Sequence, residues 1–199
     1  MIYEVAFVLK QDASEDASKK VQDSVKEAIT AEGGEVLLED DWGVRSFAQP
    51  SSRGEKRGHY FYKIYKGPAK LNSELERRFR ISESVVKFVT VKLGEEADQE
   101  SVLKTYKTPN FGVKSEAGID EEKEKRAFLK RKSCYFSAKK TQPDWKDAGT
   151  YAWLVNEFGK ISPARVTGLR PKYQRMATTA IKRARCMGLI SYMSSRTAR

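Results

Sequence analysis

Charge is distributed along this chain so unevenly that one uniform domain describes it poorly. Residues 1–100 carry 16 basic and 19 acidic side chains, net −3, and residues 101–125 carry 5 of each. The last 74 residues hold 17 basic and 3 acidic, net +14. A chain of 199 residues has room for one large domain or two small ones. The charge break argues for two: an ordinary, mildly acidic module, then one that attracts a polyanion. We therefore expect domains over residues 1–96 and 126–199, joined by a linker over 97–125.

The apolar pattern gives the first module its fold. Tyr3, Val5, Phe7 and Leu9 alternate with Glu4, Ala6, Val8 and Lys10, a period of two in β-favouring residues that predicts a first strand. Ser14 can cap a helix, Glu15 and Asp16 suit the positive end of its dipole, and Val21, Val25, Ala28 and Ile29 recur at helical spacing until Gly33 and Gly34 stop it. Val36, Leu38, Trp42 and Val44 mark a second strand and Tyr60 to Tyr65 a third, joined through the polar stretch Gln49 to Gly58 as a long hairpin. Leu71, Leu75 and Phe79 give a second helix, and Val85 to Leu93 a fourth strand. The order βαββαβ predicts an α+β fold, a four-stranded antiparallel sheet with two helices on one face in the ferredoxin-like arrangement.

From Gly94 to Glu124 periodicity is lost, and Pro109, Gly112 and Gly118 interrupt any helix, so the stretch reads as a tether. Beyond it the chain reads as a small, mostly helical domain. A helix is expected over Asp147 to Phe158 with Gly159 as its stop, then a long one from about Pro171 to Met187, with Pro171 in the first turn and Gly188 at the end.

No apolar run approaches the roughly 18 residues a membrane span needs, and Met1 to Lys10 enters a strand pattern without the parts of a secretory signal. Cys134 and Cys186 are the only cysteines and give no disulfide framework, which suits a reducing, cytoplasmic compartment.

The long basic helix is the most informative stretch. At 100° per residue, Met176, Met187, Ala180, Tyr173, Ala184, Ala177 and Ile181 share one face, and Arg185, Lys182, Arg175, Lys172 and Arg183 the other. Like charges in a row repel unless something anionic neutralises them, and a phosphate backbone does so while releasing counterions. A second basic cluster, Arg126, Lys130, Arg131, Lys132, Lys139 and Lys140, is interleaved with Phe128, Tyr135 and Phe136, aromatics that suit either base stacking or a core. On charge alone a solvated face, an anionic lipid surface and a calmodulin-type partner stay open. The small, Ala-rich apolar face suits protein packing better than lipid.

Catalytic and metal signals are poor. His59 is the only histidine, and a single imidazole at a strand start is usually a surface or satisfied core residue. No Cys/His cluster has ligand spacing, no Gly-rich loop cradles phosphate, and Glu39, Asp40 and Asp41 alternate sides on a strand. No enzyme activity, cofactor, metal or small-molecule substrate is expected.

The stretch Lys160 to Tyr192, with Ile161-Ser-Pro-Ala-Arg165-Val-Thr-Gly168, Lys172-Tyr-Gln-Arg175 and Ala180-Ile-Lys-Arg-Ala-Arg185, closely resembles bacterial small-subunit ribosomal protein eighteen, over about Arg126 to Tyr192. The first hundred residues resemble small-subunit ribosomal protein six: the opening Tyr3-Glu-Val, Glu39-Asp-Asp-Trp42-Gly, the hairpin from Gln49-Pro to Gly58-His-Tyr60, and Leu75-Glu-Arg-Arg-Phe79-Arg. After that Pro, Ser51-Ser52-Arg53-Gly54 departs from the family's apolar and basic pattern.

The resemblance implies a ferredoxin fold for the first part and a heterodimer that binds the central domain, or platform, of the small-subunit rRNA, here on one chain. It also implies that the segment Gly94 to Lys125 lies along the pairing surface of the two modules. The partners are then rRNA, other small-subunit ribosomal proteins and, intramolecularly, the two modules themselves, with no membrane, and the place is the cytoplasmic ribosome. RNA contacts are expected at Arg126, Lys130, Arg131, Lys132, Arg165, Arg170, Lys172, Tyr173, Gln174, Arg175, Lys182, Arg183 and Arg185, with a minor one at Arg53, Lys56 and Arg57. Some members of the protein-eighteen family resemble zinc proteins, but their four ligand positions read Cys134, Ser137, Arg170 and Tyr173 here, so zinc is not expected. Two other classes compete: an off-ribosome regulator binding a messenger leader, and hydrolysis of acyl phosphates. The latter needs an anion-binding loop with a positioned Arg and Asn after the first strand, and Lys10 to Ser14 has neither.

Overall fold

The computed structural model describes residues 1–52, 54–95, 98–109 and 134–193. They fall into two compact units, residues 1–108 with 186–188, and 109–185 with 189–199.

The first unit has the order β1 (Ile2–Lys10), α1 (Glu15–Ala31), β2 (Glu35–Ser46), β3 (Arg57–Lys66), α2 (Ala69–Ile81), β4 (Val85–Gly94) and α3 (Gln99–Thr105). The strands form one antiparallel sheet, β2-β3-β1-β4. This is the ferredoxin-like arrangement that the pattern predicts. Ser14 caps α1, its hydroxyl oxygen accepting from the N–H of Ala17 at 3.2 Å. At the other end Gly33 takes φ +71°, the left-handed turn that a glycine allows. Tyr3, Val5, Phe7 and Leu9 of β1 pack with Val25 and Ile29 of α1 and Leu71, Leu75 and Phe79 of α2, so the core lies between sheet and helices. Phe7 sits at its centre, stacked on Phe61 and Phe79 at 5.5 and 5.2 Å.

Two features depart from the sequence reading. First, β1 is buried on both faces: Glu4, Ala6 and Val8 are as enclosed as their neighbours. The second face carries an aromatic layer in which Trp42 stacks on Tyr62 at 5.1 Å and Tyr62 on Tyr106 at 4.9 Å. Glu4 accepts a 2.6 Å hydrogen bond from the Tyr62 hydroxyl, which satisfies a carboxyl group that burial would otherwise leave costly. In the same unit Tyr60 donates to the Met187 carbonyl at 2.7 Å. A period of two reveals alternation, but it does not reveal that the polar-looking side is also covered.

Second, a helix, α3, lies inside the stretch read as a tether. Seven residues are too few for a periodic signal, and the helix is supported by the i,i+4 pair Lys104–Glu100 at 3.0 Å. The chain after it is held by one carboxylate. Oδ2 of Asp40 accepts from the Tyr106 hydroxyl at 2.5 Å, the Thr108 hydroxyl at 3.0 Å and the Trp42 indole N–H at 3.2 Å. Burial, and then that carboxylate, push the Tyr106 phenol well above its ordinary range. Asp40→Ala removes three acceptor contacts. At roughly 0.5–1 kcal/mol each in a half-exposed setting, it lowers unfolding stability by about 2 kcal/mol, measured by urea denaturation with Trp42 fluorescence as the probe.

The second unit contains α4 (Tyr135–Lys139), two 3-10 turns (Ala148–Thr150 and Ala152–Leu154), α5 (Ala164–Thr167) and all but the last residue of α6 (Pro171–Cys186). The helix expected over Asp147 to Phe158 is thus replaced by two tight turns and a bridge between Val155 and Ile161. Gly149, Thr150, Val155 and Asn156 all have weak helix propensity. The Tyr151 hydroxyl ties the first turn to the Trp145 carbonyl at 2.6 Å, and the Trp153 indole N–H donates to the Thr150 carbonyl at 3.0 Å. α6 begins at Pro171, and beyond its end Gly188 takes φ +73° while Leu189 N–H returns to the Ala184 carbonyl. Among the described residues no helix is long and apolar enough to cross a membrane.

Candidate nucleic-acid interface

The interface is organised by α6. Ala177, Ala180, Ile181 and Ala184 are its buried stripe, at the i, i+3, i+4, i+7 spacing of one helix face. Turned away from that stripe, Lys172, Arg175 and Lys182 are exposed and Arg183 is half-buried. Arg165 and Arg170, just before the helix, are exposed as well. None of these six side chains makes an ion pair with a described residue. The first unit behaves differently: its helix arginines are neutralised in place, Arg77 and Arg78 on Glu74 at 2.8 Å and Arg80 on Glu76 at 3.6 Å. The row on α6 therefore has no counter-charge among the described residues, and it is carried by a 16-residue helix.

Other residues expected to touch RNA are bonded within their own unit. Gln174 is half-buried, its side-chain N–H donating to the Ser162 carbonyl at 3.0 Å and its oxygen accepting from the Thr167 hydroxyl at 3.2 Å. Tyr173 stacks on buried Phe136 at 5.8 Å. Arg185 donates to the Gly159 carbonyl and lies 5.5 Å over the Tyr192 ring. Of the aromatics in the second basic cluster, Phe136 is core, and Tyr135 is half-buried between Trp153 and the ammonium of Lys139. Lys139 and Lys140 are exposed. Arg126, Phe128, Lys130, Arg131, Lys132 and Arg53 lie outside the described residues. Lys56 and Arg57 are exposed on the β2–β3 hairpin, with Arg57 Nε donating to Ser46 at 3.3 Å.

Of the four positions aligned with zinc ligands, Cys134, Ser137 and Arg170 meet in space, but with other chemistry. Cys134 Sγ accepts from the Arg170 N–H at 3.4 Å. Burial pushes its thiol up, yet that bond and those from Ser137 outweigh it and hold the group below its ordinary value. Among the described residues no three His, Cys, Asp or Glu side chains are grouped to hold a metal. His59 is held by Asp41 at 2.6 Å and stacked on Phe61 at 4.3 Å. Sequence reasoning passed over Phe158, which is 77% exposed, and Tyr192, which is 53% exposed. An aromatic beside a glycine in a polar loop is the only signal that marked Phe158.

A ferredoxin-like unit is thus followed by a helix whose cationic side has no counter-charge among the described residues, a pairing met in proteins that bind nucleic acid. Residues 2–92 match the family model for Ribosomal protein S6, and residues 139–190 that for Ribosomal protein S18. Small ribosomal subunit protein bS6 of a Nitratiruptor species is 40% identical over 96 residues, covering 48% of this chain and 74% of that protein. The bS6 protein of Trichlorobacter lovleyi is 38% identical over 97 residues, covering 49% and 79%. The solved 30S ribosomal protein S6 of Thermotoga maritima is similar over 52% of this chain and 96% of that one, at 20% identity and a TM-score of 0.46. The chain belongs to the ribosomal protein S6 family and joins to it, in one polypeptide, a ribosomal protein S18 domain. It is a constituent of the small ribosomal subunit.

Proposed function

We propose that the chain binds the central domain, or platform, of the small-subunit rRNA as a covalently joined heterodimer in the bacterial cytoplasm. Residues 1–96 act as the S6-like domain, 97–125 as linker and 126–199 as the S18-like rRNA-binding domain. The observation that carries this reading is the row Lys172, Arg175, Lys182 and Arg183 on α6, with no ion pair to a described residue. Arg165 and Arg170 extend the row, and Arg126, Lys130, Arg131 and Lys132 add charge from the same module. Contacts of this kind fix position, so specificity comes from RNA shape and junction geometry. The S6-like domain supplies a protein surface that orients the basic one, and covalent linkage raises the effective concentration of the partners to roughly millimolar.

Equilibrium binding of the chain to a central-domain rRNA fragment, compared with a scrambled RNA of equal length across a salt series, tests the reading. Fragment-specific binding that weakens steeply with salt is the expected result. Equal affinity for both RNAs removes the platform and leaves only a generic polycation.

A further inference from the structure

The turn from Asn156 to Lys160 displays Phe158 on a backbone that is already ordered. The Asn156 side-chain oxygen accepts from the N–H groups of Phe158 at 3.1 Å and Lys160 at 2.7 Å. Asn156 N–H donates to the Lys160 carbonyl at 2.8 Å, and Gly159 N–H to the Asn156 carbonyl at 2.9 Å. Gly159 adopts φ +78°, and a Cβ there would collide with the Tyr192 carbonyl oxygen and lie 3.1 Å from Met193 Cα. The turn therefore packs backbone to backbone on residues 192 and 193. Arg185 reaches both strands of this patch, donating to Gly159 O and lying over the Tyr192 ring.

The result is a surface of Phe158, Tyr192 and Met193, exposed by 77, 53 and 54%, with Lys160 and Arg185 beside it. Scattered exposed apolar residues need no explanation, but three carried by two backbone segments packed on each other at Gly159 do. Its occupant is indicated by charge. The last 74 residues hold only three carboxylates, Asp144, Asp147 and Glu157, and Lys146 pairs with Asp144 at 3.0 Å. At the patch itself the exposed carboxylate of Glu157 adjoins Phe158, and the cations Lys160 and Arg185 outnumber it, so a ligand meets a net positive surface and a π face, the combination that holds unpaired nucleotides through stacking and a nearby phosphate.

We propose that Phe158 and Tyr192 form a stacking platform for unpaired bases, separate from the phosphate-gripping row of α6. This rests on the RNA-binding reading above and adds to it a preference for single-stranded nucleotides. The test compares the wild-type chain with Phe158→Ala and Phe158→Trp. Each binds an adenine-rich single strand of roughly 12 nucleotides carrying a fluorescent aminopurine base, and a fully paired duplex of equal length. Phe158→Ala should bind the single strand roughly tenfold more weakly, lose the aminopurine quenching that the wild type gives, and keep the salt slope and the duplex affinity. Phe158→Trp should retain both affinity and quenching. If Phe158→Ala matches the wild type on the single strand, the platform is refuted while RNA binding stands, and the patch becomes a protein contact. An equal loss on both RNAs also overturns it, because stacking needs an unpaired base. A wild type that binds neither RNA removes the underlying reading and this one with it.

Discussion

Replacing Arg175 and Arg183 together with alanine is expected to lower affinity for the central-domain rRNA on the order of a hundredfold near physiological salt. Two charge-assisted contacts at roughly 1.5 kcal/mol each give that size. The more diagnostic result is the slope. Each phosphate neutralised releases counterions, so losing two contacts should flatten the dependence of log affinity on log salt by about two units. The two positions lie on one side of α6, about 12 Å apart along its axis at roughly 1.5 Å per residue, and neither is in the buried stripe. Folding should survive the change. Arg77→Ala is the matched control: that guanidinium is already held by Glu74 at 2.8 Å, so affinity and slope should both stay put. Fluorescence anisotropy with labelled RNA across a salt series reads both quantities. A weakened affinity with an unchanged slope would mean that Arg175 and Arg183 do not touch phosphate.

Periodicity exposed what periodicity can expose. The strands of the first unit, the stop of α1 at Gly33 and the two faces of α6 were legible because apolar positions recur there over many residues. Burial of β1 on its second face was not. Glu4 looks like a solvent-side residue until the Tyr62 hydroxyl is seen to satisfy it, and on the helix-covered face Lys63 is just as enclosed, beside the Glu39 carboxylate. The helix expected over 147–158 failed where local side-chain chemistry won: Asn156 bonds its own turn and Tyr151 its own loop. On α6, charge patterning marked the cationic side but not which of its side chains the fold already uses. Arg185 and Gln174 sit beside Arg175 and Lys182 in sequence, yet they are committed to Gly159 and to the 162–167 turn. Only tertiary distances show which of these side chains already hold a loop.

Glu39→Ala is expected to cost about 2 kcal/mol of stability, because it strands the buried ammonium of Lys63, less than for a fully buried pair since Glu39 is itself 38% exposed. Lys63 is opposite Val5 in the register, on the helix-covered face of the sheet, and its side chain is only 2% exposed. Its ammonium reaches Glu39 at 3.0 Å, and Lys26 of α1 reaches the other oxygen of the same carboxylate at 3.1 Å. Burial pulls the Lys63 pKa below the ordinary 10.5, against the opposing pull of Glu39. Burial pushes Glu39 up, but the two lysines outweigh it and hold it below the ordinary 4.5. Removing the partner of a buried charge leaves that charge uncompensated, whereas replacing the buried charge with an apolar side chain of similar size is often neutral. Lys63→Met should therefore be nearly neutral, and adding it to Glu39→Ala should restore most of the loss.

The pH dependence separates this account from a simple packing defect. A lysine with a depressed folded pKa disfavours the folded state when protonated, so the Glu39→Ala defect should shrink as pH rises from about 7 towards about 9.5. Above about 10 the buried tyrosines, whose pKa values are raised, destabilise every variant alike. In acid the sign is reversed. The depressed Glu39 contributes stability above 4.5 that is lost as pH falls, so the gap between wild type and Glu39→Ala should also narrow there. Urea denaturation at about pH 3, 7 and 9.5 measures all three points, and a gap constant across them would show that Lys63 is not stranded by the loss of Glu39.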